Sequence, residues 1–199
     1  MTQTPSNIWG LKQGFILASR SPKRLELLKN VGLIPEKVVS ADIDETPLNN
    51  ELPARYVRRI SAQKAQAVMQ KYPGQCIVTA DTIIAVGRRI VRKAADEKEA
   101  IKNLHLLSGR KHRVVTAFSV VKPDGKIITK VNSTSVTLKK LDETDIRAVI
   151  QSGEWQNVAG YQIEGVFGAL VKNMNGSYAS VVGIPVHDVA NVLRGVLCG

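Results

Sequence analysis

The run Cys76-Ile-Val-Thr-Ala-Asp-Thr-Ile-Ile-Ala-Val86 constrains the fold more than any other part of the chain. It is rich in β-branched and small apolar residues, so it reads as a central strand covered on both faces. In its middle stands Asp81, a carboxylate that is costly to bury without a cation or several donors. Two answers are open. Asp81 caps a turn or pairs with a lysine, or it shares a divalent ion with the acidic loop Asp42-Ile-Asp-Glu-Thr-Pro47, whose Asp42, Asp44 and Glu45 are oxygen ligands of the kind magnesium takes. In the second case Lys64 and Lys93 complete a clamp for phosphate.

A second segment carries its own chemistry. In Leu17-Ala-Ser-Arg-Ser-Pro-Lys-Arg-Leu-Glu-Leu-Leu28 an apolar strand, Phe15 to Ala18, breaks into a hydroxyl-rich turn and opens a helix. Ser21 suits the cap and Pro22 the first helical position. Free backbone N–H groups at such a terminus attract an anion, the hydroxyls of Ser19 and Ser21 add donors, and Arg24 can grip phosphoryl oxygens in a fork. The plain alternative is a capped helix with a solvated basic first turn.

Along the rest of the chain, Lys37 to Ser40 reads as a short strand and Leu52 to Lys71 as a helix, with Lys64 on or beside its apolar stripe. Gly87-Arg-Arg89 turns into a strand at Ile90-Val91-Arg92. Asp96-x-x-Glu99 opens a helix that Ser108-Gly109 closes. Strands follow at Val114 to Val121 and Ile127 to Leu138, joined by Pro123-Asp-Gly125. Asp142 caps a helix ending at Gly153, Phe167 to Val171 reads as a β segment, and a last helix follows Pro185. Hairpins among alternating helices and strands predict a mixed sheet in an α/β fold.

The length of 199 residues suits one domain, 1–199, with 1–14 as a ragged lead-in. No apolar run approaches the roughly 18 to 20 residues of a membrane span, and Met1 to Gly14 lacks the pattern of a secretory signal, so a cytoplasmic protein is expected. Cys76 and Cys198 lack metal-ligand spacing and read as free thiols, and His105, His112 and His187 show no ligand pattern. The excess of 28 Lys+Arg over 17 Asp+Glu, formally +11, invites a polyanion. The basic residues are scattered, however, and three Phe, four Tyr and two Trp leave few rings for stacking bases. A solvated surface, or attraction of small anionic substrates, accounts for the charge, and no stable nucleic-acid partner is expected.

The ordered motifs Leu17-Ala-Ser-Arg-Ser-Pro-Lys-Arg-x-Glu-Leu-Leu28, Asp44-Glu-Thr-Pro47, Gln63-Lys-Ala65, Ala80-Asp-Thr82, Asp96-x-x-Glu-Ala100, Leu107-Ser-Gly-x-x-His112, Val115-Thr116, Gly176-Ser-Tyr178 and Val181-Val-Gly-Ile-Pro185 carry a resemblance. From about residue 15 to the C-terminus the chain resembles the Maf nucleoside triphosphate pyrophosphatases, also called septum formation inhibitor proteins. The resemblance implies the elongated, two-lobed mixed α/β fold shared with inosine triphosphate pyrophosphatases, with a mixed twisted sheet, a central cleft and a homodimer. It implies hydrolysis of a nucleoside triphosphate to monophosphate and pyrophosphate with magnesium or manganese, as house-cleaning of nucleotide pools with a link to arrest of cell division.

Carried onto matching positions, the resemblance makes Asp81 the proton acceptor for the attacking water. Glu45 and Asp81 position the metal, and Ser19, Arg24, Lys64 and Lys93 hold the phosphates. Specificity maps to Lys23, Thr82 and Glu164. The dTTP/UTP subgroup has Arg, Thr and Gln there, and the 7-methyl-GTP subgroup an aromatic residue, Gln and Glu. Lys23 and Thr82 favour dTTP/UTP, while Glu164 dissents because a carboxylate only accepts hydrogen bonds. Arg92 and Ala94 replace the family's Gly and Pro around Lys93, and a left-handed backbone at 92 would strain an arginine. The rival readings are a 7-methyl-GTP pyrophosphatase and a non-catalytic, nucleotide-sensing regulator of division.

Overall fold

The computed structural model describes residues 8–156, 158 and 161–198. Its centre is the anticipated strand, Ile77–Val86 (β3), in a seven-stranded mixed sheet. The other strands are Ile16–Ala18 (β1), Lys37–Val39 (β2), Arg89–Val91 (β4), Lys111–Val121 (β5), Ile127–Leu138 (β6) and Val171–Asn175 (β7), in the order β2-β1-β3-β5-β6-β7 with β4 also on β3. β1 runs parallel to β2 and β3, and the remaining pairs are antiparallel. The helices are Pro22–Asn30 (α1), Pro53–Lys71 (α2), Glu97–Leu107 (α3), Glu143–Ser152 (α4), Tyr178–Val182 (α5) and Val186–Leu197 (α6).

Strand alternation divides β3 between two layers. Val78 and Ala80 join Phe15, Leu17, Phe118, Val189 and Leu193 in a core beneath α1 and α6. On the opposite face Ile77 and Ile83 pack with Val57, Ile60, Ala65 and Val68 of α2. Thr79 also faces α2, where its hydroxyl donates to the Ser61 carbonyl at 2.8 Å, and the Ser61 and Ser119 hydroxyls lie 2.9 Å apart. These buried hydrogen bonds fix the helix on the sheet one turn before Lys64.

One edge of β3 is discontinuous. β5 pairs with it from Ile77 to Ala85, but on the other edge β1 stops at Ala18 opposite Thr79, and β4 pairs only from Ile84 to Val86. Residues 80–83 therefore face an opening in the sheet, just where the chain leaves β1 for the turn into α1.

Several local expectations need correction. Phe167 to Val171 is not a strand: Val166–Leu170 forms a 3₁₀ helix whose Phe167 and Leu170 are buried, and the strand begins at Val171. An apolar run too short to show a period cannot separate these forms. Ser21 holds the cap position of α1 without a side-chain cap bond, and its N–H instead donates to Ser19 Oγ at 3.1 Å. The capping box that Asp96-x-x-Glu99 spells is half formed, since Asp96 Oδ1 accepts from Glu99 N at 2.8 Å but Glu99 accepts from Ala95 N rather than from Asp96 N. The lead-in is packed from Trp9, whose Nε1 donates to the Val31 carbonyl, and Lys12 N donates to Leu197 O. Residues 1–7 of that lead-in lie outside the described residues. The Asp142 box forms in full, with Asp142 Oδ1 accepting from Asp145 N at 2.9 Å and Asp145 Oδ2 from Asp142 N at 3.0 Å. Asp142→Ala removes the first of these, and urea unfolding is expected to show a loss of about 1 kcal/mol.

Candidate active site

An open cavity of about 990 Å³ lies over the gap in the β3 edge. Ser19, Lys23 and Arg24 line it from the turn and first turn of α1, Glu45 from the acidic loop, Lys64 from α2, Asp81 and Thr82 from β3, Lys93 from the stretch after β4, and Glu164 from the loop before the 3₁₀ helix. All nine residues to which the family resemblance assigns a role thus line one cavity, whereas Asp42 and Asp44 of the acidic loop are not among its lining residues.

Asp81 points from β3 toward α2, and its partner there is Lys64. The Lys64 ammonium lies 2.9 Å from Asp81 Oδ1 and 2.9 Å from Glu45 Oε1. Lys64 and Asp81 are 8 % and 6 % exposed, so the lysine on the apolar stripe is the counterion that a carboxylate in a strand interior demands. Of the acidic loop only Glu45 joins this cluster. Asp42 makes a loose, exposed contact with Arg20 at 3.9 Å, and the Thr46 hydroxyl together with its N–H, 2.8 Å from Asp44 Oδ1, lowers the pKa of Asp44.

Residues that sequence reasoning did not single out hold that loop. Tyr56 donates to the Glu45 carbonyl at 2.8 Å, and burial, reinforced by the charges of Asp81 and Glu45, pushes its phenol up to about 12. Arg59 grips Glu51 with two 2.7 Å bonds and donates to Thr46 O at 3.1 Å. Both sit on α2, Tyr56 eight and Arg59 five residues before Lys64, and in sequence they read as ordinary packing and a solvated charge.

The next residue of β3, Thr82, points to the opposite face and meets Arg24. Arg24 donates through Nε to the Gly183 carbonyl at 2.8 Å, through Nη1 to Ser19 Oγ at 3.2 Å and through Nη2 to Thr82 Oγ1 at 3.5 Å. Burial lowers the guanidinium pKa, opposed by Asp81 and Glu45. Thr116, opposite Thr82 on β5, shares a hydroxyl contact with it at 3.0 Å and donates to the Ser180 carbonyl at 2.7 Å. Gly183 has φ +145°, and a Cβ there would come within 3.3 Å of Arg24 Nε, so this turn suits glycine for both conformation and room. The fork of Arg24 is therefore preset by three elements before any ligand arrives.

Lys93 is exposed, and the carbonyl of the preceding Arg92 is tied to Asn103 Nδ2 at 3.2 Å. Asn50 alone among the described non-glycine residues has positive φ, so Arg92 carries none of the anticipated left-handed strain. Lys23 forms an ion pair with Glu164 at 3.4 Å, so the dissenting carboxylate faces a cation supplied by the same trio. Among the described residues no group of three or more His, Cys, Asp or Glu side chains forms a ready-made metal cage. The convergent donors are the two carboxylates of Glu45 and Asp81, which fit a hard cation that draws its remaining oxygens from phosphate and water.

The wall of the cavity includes Tyr161, stacked on Phe167 at 3.8 Å between ring centres and bonded through its hydroxyl to His112 Nε2 at 2.6 Å.

A mixed α/β fold holds one cleft in which a preset arginine fork stands near a carboxylate pair bridged by lysine. The chain belongs to the Maf-like protein family, whose model matches residues 14–196. It is 43 % identical over 182 residues to a dTTP/UTP pyrophosphatase of Caulobacter vibrioides, covering 91 % of this chain and 94 % of that one. It is 46 % identical over 191 residues to a dTTP/UTP pyrophosphatase of Agrobacterium fabrum, covering 92 % of each. The fold is also that of a Ham1 protein from Staphylococcus aureus, with a TM-score of 0.54 at 14 % identity, covering 92 % of this chain and 99 % of that one. Among the described residues no helix is long and apolar enough to cross a membrane.

His112 supplies a test of this packing by pH. Burial pushes its pKa down to about 4, whereas the unfolded chain restores a value of about 6.5. Between those values the unfolded state binds a proton that the folded state refuses, so this contribution is full above pH 6.5 and lost as pH falls toward 4. Unfolding free energies at pH 7 and pH 5 are expected to differ more in the wild type than in His112→Gln, by on the order of 1–2 kcal/mol.

Proposed function

We propose that this chain hydrolyses nucleoside triphosphates, dTTP and UTP foremost, to the monophosphate and pyrophosphate. The observation that carries the reading is the meeting of Asp81, Lys64 and Glu45 beside the preset fork of Arg24 in one cavity. The names of the relatives support the substrate, Thr82 matches the residue expected of that subgroup, and Lys23 keeps the charge of its arginine without the fork.

In this reading Arg24, Ser19, Lys64 and Lys93 receive the triphosphate, and their fixed positive charge offsets what develops on the phosphoryl oxygens. A water attacks the α-phosphorus and loses its proton to Asp81. The bond from that phosphorus to the bridging oxygen breaks, and pyrophosphate leaves with the bonding electrons. Glu45 and Asp81 hold the divalent cation, magnesium or manganese, which when bound lowers the pKa of a coordinated water and offsets phosphate charge. The Lys23–Glu164 ion pair places a donor and an acceptor at the cavity wall, so Glu164 need not read a base as an isolated carboxylate. A cytoplasmic site of action, a homodimer and a role in clearing surplus nucleotides with a link to division belong to the same proposal.

Incubation with magnesium or manganese and dTTP, UTP, CTP, GTP or 7-methyl-GTP tests it, with monophosphate and pyrophosphate both measured. The expected result is pyrophosphate release from dTTP and UTP, reduced about 10² to 10⁴-fold in Asp81→Asn. Preference for 7-methyl-GTP would reassign the substrate, and absence of release from every nucleotide would overturn the enzymatic reading.

A further inference from the structure

Lys64 occupies the place that the proposed chemistry reserves for a cation. Its ammonium touches one oxygen of each carboxylate, Asp81 Oδ1 and Glu45 Oε1, both at 2.9 Å. Arg24 is close enough that the same two carboxylates are the charges sustaining its pKa against burial. The two negative groups are thus balanced by two positive ones. Lys93 lines the same cavity and adds further positive charge, while Lys23 there is matched by Glu164 and Arg20 by Asp42. A divalent cation entering alone would have to displace an ammonium from a confined site and would leave it with excess positive charge. A triphosphate reverses that balance, because it supplies several negative charges and draws Lys64 and Arg24 toward its own oxygens.

We propose that Lys64 is an internal competitor for the divalent cation, making metal binding conditional on nucleotide. Resting on the reading of Glu45 and Asp81 as the cation-holding pair, this gives Lys64 two successive partners. Before substrate it neutralises the carboxylates and keeps them converged. With substrate it moves to phosphate and leaves the two carboxylates to the cation. The cation therefore enters with the nucleotide, and free metal does not tie up the carboxylates in the absence of substrate. By linkage, the nucleotide and the cation each tighten the binding of the other at the site.

Thermal unfolding and calorimetric titration of the full chain test this without reading turnover. Wild-type protein is expected to show almost no rise in Tm with manganese chloride alone, and a clear rise with manganese plus α,β-methylene-UTP, whose α–β bridge resists cleavage, beyond that given by the analogue alone. Lys64→Gln removes the competitor and leaves both carboxylates, so manganese alone is expected to bind it about tenfold more tightly than wild type. Asp81→Asn added to that variant should cancel the gain. A wild-type Tm rise with manganese alone equal to that with the mixture would overturn the proposal, as would a folded Lys64→Gln that binds manganese no more tightly. If Lys64→Gln does not fold, the wild-type comparison decides. If the analogue is inert but Lys64→Gln still tightens manganese binding, Lys64 stands as the competitor and the nucleotide reading falls.

Discussion

A carboxylate in the interior of a central strand has to be answered by a cation, and the Asp81–Lys64 pair is that answer. Removing either partner from such a pair leaves an uncompensated charge at a cost of about 3–5 kcal/mol, while the intact pair adds little net stability. The arrangement therefore makes sense through what it positions. Lys64 faces Asp81 because α2 is fixed on the sheet by apolar packing and by the Ser61, Thr79 and Ser119 hydroxyls. Glu45 reaches the same ammonium because Tyr56 and Arg59 of that helix hold its loop. One helix thus supplies the counterion and anchors the second carboxylate.

The interrupted edge of β3 provides the space. A parallel neighbour ends opposite Thr79 and an antiparallel neighbour begins opposite Ile84, so the residues between them can serve a ligand on that edge. Because successive strand residues point to opposite faces, Asp81 and Thr82 reach two different partners, Lys64 on one side and Arg24 on the other. The turn after β1 and the turn at Gly183 complete the arginine site from segments remote in sequence. A single step along β3 in this way takes the chain from the Asp81–Lys64 pair to the Arg24 cluster.

Most of this was legible from residues 15 to 198 because the signals were local. β-Branched content marked β3, cap residues marked α3 and α4, and Pro22 marked the start of α1. The site residues followed from the ordered motifs, and Lys64 announced itself as a charge on an apolar stripe. What was not legible depends on contacts across the fold. Nothing near Tyr56 shows that its hydroxyl holds Glu45, and nothing near Gly183 points to Arg24, since those partners lie 11 and 159 residues away. The acidic loop misled in the opposite direction: three carboxylates read alike in sequence, but loop geometry turns Asp42 outward and spends Asp44 on a backbone N–H.

The central claim is that Asp81 and Lys64 act as a coupled buried pair on which the cleft is built. A double-mutant cycle on stability tests it most directly, using urea unfolding of wild type, Asp81→Asn, Lys64→Met and the double variant. The account predicts that each single change costs about 3 kcal/mol or more, and that the double variant loses at least about 1 kcal/mol less than their sum. Additive losses, or single variants as stable as wild type, would contradict it.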